Sequence, residues 1–496
     1  MKHILLLILI LEIFSQPNSN TNTYDYSNYA AVSNNTDLKD KTLSSTTADQ
    51  SVVYITESGK TIQNSNINKE SGESSNTENS EFYGINAAIL VQGGGLTMTG
   101  GTITTKAKGA NALCATNKGK VTISGTKIIS TASSSGRGLH ATYGGEITAS
   151  NVEISSTGGS CANLATDRGE GTVTCSECTL STSGSGSPLI YSTGIITVSK
   201  TTGTATGAQA VVVEGKNTAT IKDSNLKCNA NPNRNDVDKC GVMLYQSQSG
   251  DAGEGTSIFN CEKSTVEIQS ISRYYSTAPM FFITNADAII NLEDCTFTYG
   301  SSIFLNASGT SEWGTSGSNG GVVTLNLKNQ NIVGNLVVDQ NSGLTINLIN
   351  SSIEGIINSD KTAAKLNITL DDDSKITLKG NSYYTSLTNS KSDGSNIVKG
   401  TYSFEKYDET EISRSTGTGG GGSGTPPSGS RPNGSGNPPS GSRPSGSGTP
   451  PNGSQSSANQ QSQSSANDSN DDGYIITKSY NHLITVTMSL ILILIL

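Results

Sequence analysis

The chain has 496 residues, 55 of them Gly, with only 5% aromatic and a formal net charge of −9. No Lys/Arg cluster offsets that charge, which excludes nucleic acid as a partner, because phosphate binding needs a basic face. Apolar residues at helical spacing are scarce while Ser, Thr and Asn abound, so strands and turns are expected throughout.

The first 15 residues read as a secretory signal, with Met1-Lys2-His3 as the basic start and Ile4 to Leu11 as the apolar run. Residues 16–49 show little periodicity and are expected as a loose leader or N-terminal cap. Strand patterning begins at Val52-Val53-Tyr54-Ile55, and a first coil runs through Ile62, Ile67 and Ala88-Ile89-Leu90. Within it, Asn68 to Ser80 looks too hydrophilic to pack.

From Gly94 to Leu226 the chain repeats itself. Leu96-Thr97-Met98, Val121-Thr122-Ile123, Ile147-Thr148-Ala149, Val173-Thr174-Cys175 and Ile196-Thr197-Val198 start 25, 26, 26 and 23 positions apart. Seven residues into the first four comes another apolar residue, namely Ile103, Ile128, Ile154 and Leu180. A third apolar stretch follows, as at Leu113, Leu139, Leu164, Leu189 and Val212. Each period is therefore three short strands joined by turns. One coil cannot bury its inner face, but stacked coils can, which predicts an all-β parallel β-helix over 50–412. Met98, Ile123, Ala149, Cys175, Val198 and Ile221 should form one inward file. The constant offset of seven argues against a β-sandwich.

The eight cysteines fit an oxidising route. Cys228 and Cys240 flank the polar insertion Asn229 to Lys239, so a disulfide between them is expected. Cys175 and Cys261 share an inward position about three coils apart, roughly 14 Å at the strand spacing, too far for a bridge. They are expected as small buried apolar residues, and Cys178 and Cys295 likewise share a turn position several coils apart. A Gly-rich loop, Gly309 to Gly321, holds the only Trp, Trp313. Beyond it Val323, Leu344 and Leu366 lie 21 and 22 residues apart, and Ile376 to Ile412 should cap the C-terminal end.

Residues 413–470 repeat Pro-Pro-Ser-Gly-Ser-Arg-Pro and cannot bury enough surface to fold, which predicts a disordered Pro/Gly/Ser-rich stalk. Residues 471–496 read as a GPI-attachment signal with Asp471 as the lipid attachment site. Small polar residues, a spacer and a final run from Leu483 to Leu496 follow in that order. As a helix that run spans only about 21 Å, short of a ~30 Å hydrocarbon core. The expected location is the outer face of the plasma membrane, with the membrane contacted only through the lipid. Sequons at Asn34, Asn306, Asn350, Asn367, Asn433, Asn452 and Asn467 are glycosylation candidates.

Outside the two terminal segments His140 is the only histidine, which excludes a histidine-based metal site. It is expected as an outward-facing strand residue. The third strand of each coil carries a more informative file: Tyr143, Asp167-Arg168, Tyr191, Glu214 with Lys216, then Tyr245. Tyrosine faces suit sugar rings and the charged groups suit hydroxyls or uronates, so these seven residues are candidate ligand contacts. Against acidic sugar, Arg168 and Lys216 would make the contacts, with Asp167 and Glu214 holding them in place.

Over residues 50–412 the chain resembles right-handed parallel β-helix proteins of the pectate-lyase-like superfamily. Gly94-Gly95-Leu96-Thr97-Met98-Thr99-Gly100-Gly101-Thr102 looks most like its adhesin-like surface members. That resemblance implies a right-handed solenoid and a cell-surface carbohydrate-binding or adhesion role. Enzymes of the superfamily use an acidic calcium cluster with an Arg or Lys base. Here Asp167, Arg168, Glu170 and Glu214 are the only comparable group, so calcium is the one ion implied and no other cofactor is expected. The favoured expectation is a carbohydrate-binding or adhesion rod, with a tethered polysaccharide lyase or hydrolase, or a surface coat with no ligand, as alternatives.

Overall fold

The computed structural model describes residues 22–413 apart from 234–235 and 248–251. They form a parallel β-helix. Sheets of 12, 14 and 10 strands run along it, and successive coils add one strand to each sheet in turn. The pairings are parallel, beginning with Ala31↔Ser51 in the first sheet, Leu38↔Ile62 in the second and Thr42↔Asn66 in the third. The expected signal segment, the stalk beyond Ser413, Asp471 and the sequons at Asn433, Asn452 and Asn467 lie outside the described residues.

The predicted inward file is present in register, with Met98, Ile123, Ala149, Cys175, Val198 and Ile221 each opposite the next. All six are excluded from solvent. Strict alternation produces this, as in Lys120–Ser124, where Val121 and Ile123 are buried while Lys120 and Thr122 are exposed.

The offset of seven has a backbone cause. Between the second and third sheets most coils bend sharply at a left-handed residue, for example Asn64 (φ 45°), Gly125 (φ 59°), Asn151 (φ 51°), Asp223 (φ 48°) and Asn350 (φ 46°). Asn, Asp and Gly tolerate this region best. The next residue turns into the wall and is often Ser or Thr. Its hydroxyl donates to the carbonyl two residues back, as Ser224 does to Lys222 (2.6 Å), and accepts the amide of the neighbouring coil, here from Thr201 (3.0 Å). Ser264 repeats the arrangement on Ser224 (3.0 Å).

Three expectations need correction. The leader or cap is itself a coil, with strands Ala31–Asn34, Leu38–Lys39 and Thr42–Ser45. Its polar sequence hides the period because nothing among the described residues stacks beneath it, so Leu43 is only half-buried. The stretch Asn68 to Ser80 is not wholly solvated, since Lys69 and Ser80 within it are fully buried and Lys69 is among the largest such side chains. Its amine donates to the Thr47 carbonyl and to the Gln50 carbonyl (2.9 Å), oxygens that a turn would otherwise leave without a partner.

The third concerns cysteine. Cys228 and Cys240 are both buried free thiols rather than a bridge. Cys228 ends a third-sheet strand and points into the central core, whereas Cys240 packs with Val212, Met243 and Phe282 outside the first sheet. The wall of the column lies between them. Cys175 and Cys261 are buried and not joined to each other, as the coil arithmetic requires. Each nevertheless has a partner, in Cys175–Cys178 and Cys261–Cys295. Residue 178 lies in the turn just past 175, and residue 295 in the same turn one coil beyond 261.

Burial pushes the Lys69 amine down to about 8, against the opposing pull of Asp49. An unfolded lysine holds its proton to about 10.4. Between those values the unfolded chain binds the extra proton, so stability rises with pH. The wild type should therefore gain stability relative to Lys69→Met from about pH 8 to pH 10, read by chemical denaturation. Parallel curves would mean that the amine is not held dry.

Candidate functional site

The first sheet also carries a file on its outward face. Tyr54, Leu90, Cys114 and His140 lead through Ala165 to Tyr191, Val212, Met243 and Phe282 in continuous register. Left bare, such a file would be a long apolar patch. Two insertions cover its ends.

One cover is helix α1, Thr77–Tyr83, together with the tyrosines before the first coil. Asn76 caps α1 by accepting from the Glu78 amide (2.9 Å), and Gly84 ends it in the left-handed region (φ 74°). Gly84 is required for a second reason, since a Cβ there would lie 2.5 Å from the Cys114 sulfur. The Tyr83 ring stacks on Tyr143 at 5.6 Å. His140 faces outward as expected, but α1 buries it completely, with Nε2 2.6 Å from the Glu81 carbonyl oxygen. Burial, and next the Arg137 charge, push the imidazole down to about 3, so it is neutral.

The other cover is the loop after residue 308. Asn319 holds it by donating to the Thr310 (2.5 Å) and Trp313 (2.6 Å) carbonyls. Trp313 packs on Val212, Met243 and Phe282 and meets the Tyr245 ring edge-on at 5.2 Å.

Between the covers a cleft of about 230 Å³ remains open. Tyr191, Val212 and Met243 supply its floor, Glu81 and Phe82 one end and Trp313 with Tyr245 the other. Arg137, Asp167, Gln209, Asn233 and Asp238 add polar groups from the sides.

The electrostatics centre on two buried arrangements. Arg137, 7% exposed, lies 3.1 Å from Asp167 and 3.7 Å from Glu81. Burial works against its charge, but the two carboxylates outweigh that and raise its pKa. Glu214, 1% exposed, accepts from the Tyr191 hydroxyl and from Tyr245 (2.8 Å) on one oxygen. Burial and then the Glu214 charge hold the Tyr191 phenol well above its ordinary pKa. Within these two arrangements the Arg137 Nη1 donor and the Glu214 Oε1 acceptor have no hydrogen-bond partner among the described residues.

Of the candidates named from sequence, Tyr191, Tyr245 and Asp167 line the cleft, and Glu214 lies just behind the two tyrosines. Arg168 is elsewhere, its guanidinium stacked 3.8 Å over the Phe82 ring. Lys216 pairs with Glu170 at 2.8 Å, and Tyr143 lies under Tyr83. Asp167, Glu170 and Glu214 thus serve three different partners and do not share one cation. Among the described residues no group of three or more His, Cys, Asp or Glu could hold a metal ion. Sequence reasoning missed Arg137, Glu81, Phe82 and Trp313. Gly136-Arg137-Gly138, a lone charge between glycines beside an inward Leu, was the one available signal. Of the described sequons, Asn34 and Asn350 are exposed, while Asn306 and Asn367 are half-buried within strands.

The architecture makes the protein a parallel β-helix with a lateral cleft. No family model, curated protein or solved structure matches the chain.

Arg137→Ala would remove the buried guanidinium that Asp167 and Glu81 both meet. Removing one partner of a buried ion pair costs about 3–5 kcal/mol. Lys216→Ala, at a half-exposed pair, should cost under about 1 kcal/mol. Equal losses in urea denaturation would show that Arg137 is hydrated rather than buried.

Proposed function

We propose that the protein is a cell-surface carbohydrate-binding or adhesion protein, built like the adhesin-like members of the pectate-lyase-like superfamily. A GPI lipid anchors it to the outer face of the plasma membrane, and the exposed sequons carry glycans. The observation that carries the binding reading is the cleft between α1 and Trp313. It combines the rings of Phe82, Tyr191, Tyr245 and Trp313 with polar side chains of Arg137, Asp167 and Gln209. Sugar hydroxyls, which both donate and accept, answer such polar groups, and sugar ring faces answer the aromatics. Small-ligand sites combine an apolar lining with a few placed polar groups in this way.

A tethered lyase or hydrolase is the second reading, favoured by the buried carboxylate of Asp167 in the cleft and that of Glu214 just behind it. One experiment separates them. The purified full chain, applied to a glycan array with and without calcium, should bind without shortening its ligand, and Trp313→Ala should weaken binding by about tenfold or more. Shortened products would favour the enzyme, and silence across the array a coat protein. For the anchor, phosphatidylinositol-specific phospholipase C should release the protein from intact cells. Recovery of the Leu490 to Leu496 peptide from the membrane-bound protein would overturn it.

A further inference from the structure

Resting on the carbohydrate reading, we infer that the cleft takes a chain end or a short saccharide, of one or two rings, and not the interior of a long polymer. The outward file of the first sheet reaches the cleft at only three successive coils, Tyr191, Val212 and Met243. Three coils are two strand spacings, or about 10 Å along the axis.

Both directions along that axis are closed by packed structure. Towards the N-terminal coils stand Glu81 and Phe82 of α1. They cannot swing away cheaply, because the Glu81 carbonyl holds His140, Phe82 carries the Arg168 guanidinium and Gly84 sits against Cys114. Towards the C-terminal coils stands Trp313, 6% exposed and anchored among Val212, Met243 and Phe282. A polymer laid along the coils would have to displace one of these covers. Across the coils the turn residues Ala162, Pro188 and Gln209 wall one side. Nothing comparable continues the site beyond either cover, since Cys114 and His140 are fully buried on one side and Phe282 is buried on the other.

The test is chain-length dependence, read by titration calorimetry on the full chain. Linear ladders of one to six units are used for β-1,4-linked glucose, β-1,4-linked N-acetylglucosamine and α-1,4-linked galacturonate, with any further sugar scored on the array. For a ladder that binds, affinity should rise from one unit to two and then stay level, within about twofold, out to six. A rise of about tenfold or more between the dimer and the hexamer would overturn the inference while leaving carbohydrate binding intact. Absence of binding by every ladder and every arrayed glycan would overturn the carbohydrate reading, and the inference with it.

Discussion

Stacking at the strand spacing is the constraint on which the rest depends. Successive coils lie about 4.8 Å apart, so each inward side chain rests directly on its counterparts above and below. Ile, Val, Leu, Ala and Cys fit that spacing, and they fill the column from Ile62 to Leu370. A residue that faces inward has no alternative environment, because a slip of one position would turn the whole strand inside out. Register is therefore decided coil by coil by alternation alone.

Where the core departs from narrow aliphatic residues, the coil departs from regularity. Phe259, Phe281, Phe297 and Phe304 interlock with ring centroids 5.2–5.6 Å apart. Rings packed edge to face need more room than one strand spacing provides. The ten-stranded sheet stops there, at Thr296–Thr298, and a separate four-stranded sheet resumes at Asn331–Val333. Gln330 spans the break with its carboxamide, accepting from the Cys295 amide (2.8 Å) and donating to the Cys295 carbonyl (2.7 Å). The side chain thus stands in for the missing backbone pairing. On the regular stretches the exposed faces are joined across coils by Lys120–Glu146 and Lys127–Glu153, pairs too solvated to add much stability.

The same logic decides what was legible in the sequence. The inward file from Met98 to Ile221 could be read directly, since alternation and stacking leave one answer. The first coil could not, because a terminal coil buries only one side of each strand, and its residues look polar. Part of the cleft and its backing was legible for the same reason as the fold: Tyr191, Glu214 and Tyr245 occur on successive strands of the first sheet. Arg137, Phe82 and Trp313 come from a turn and two insertions, where no period constrains the chain. Partnerships failed for a related reason. Asp167 and Arg168 are neighbours in sequence and look like one charged group, yet Asp167 meets Arg137 from the previous coil while Arg168 reaches Phe82 in an insertion.

The cleft exists because the two covers have different origins. α1 grows from the loop after the second coil's third strand, whereas the Trp313 loop follows the first-sheet strand Ile303–Ala307, many coils later. Neither is long enough to meet the other over the outward file, so the window from Tyr191 to Met243 stays uncovered. That window also carries hydroxyls. Tyr191 brings a hydroxyl, and Tyr245, on the strand next to Glu214, brings another. A fully apolar window would have been a liability for association between molecules. Two tyrosine hydroxyls tied to one buried carboxylate instead give that window polar oxygens held in fixed positions.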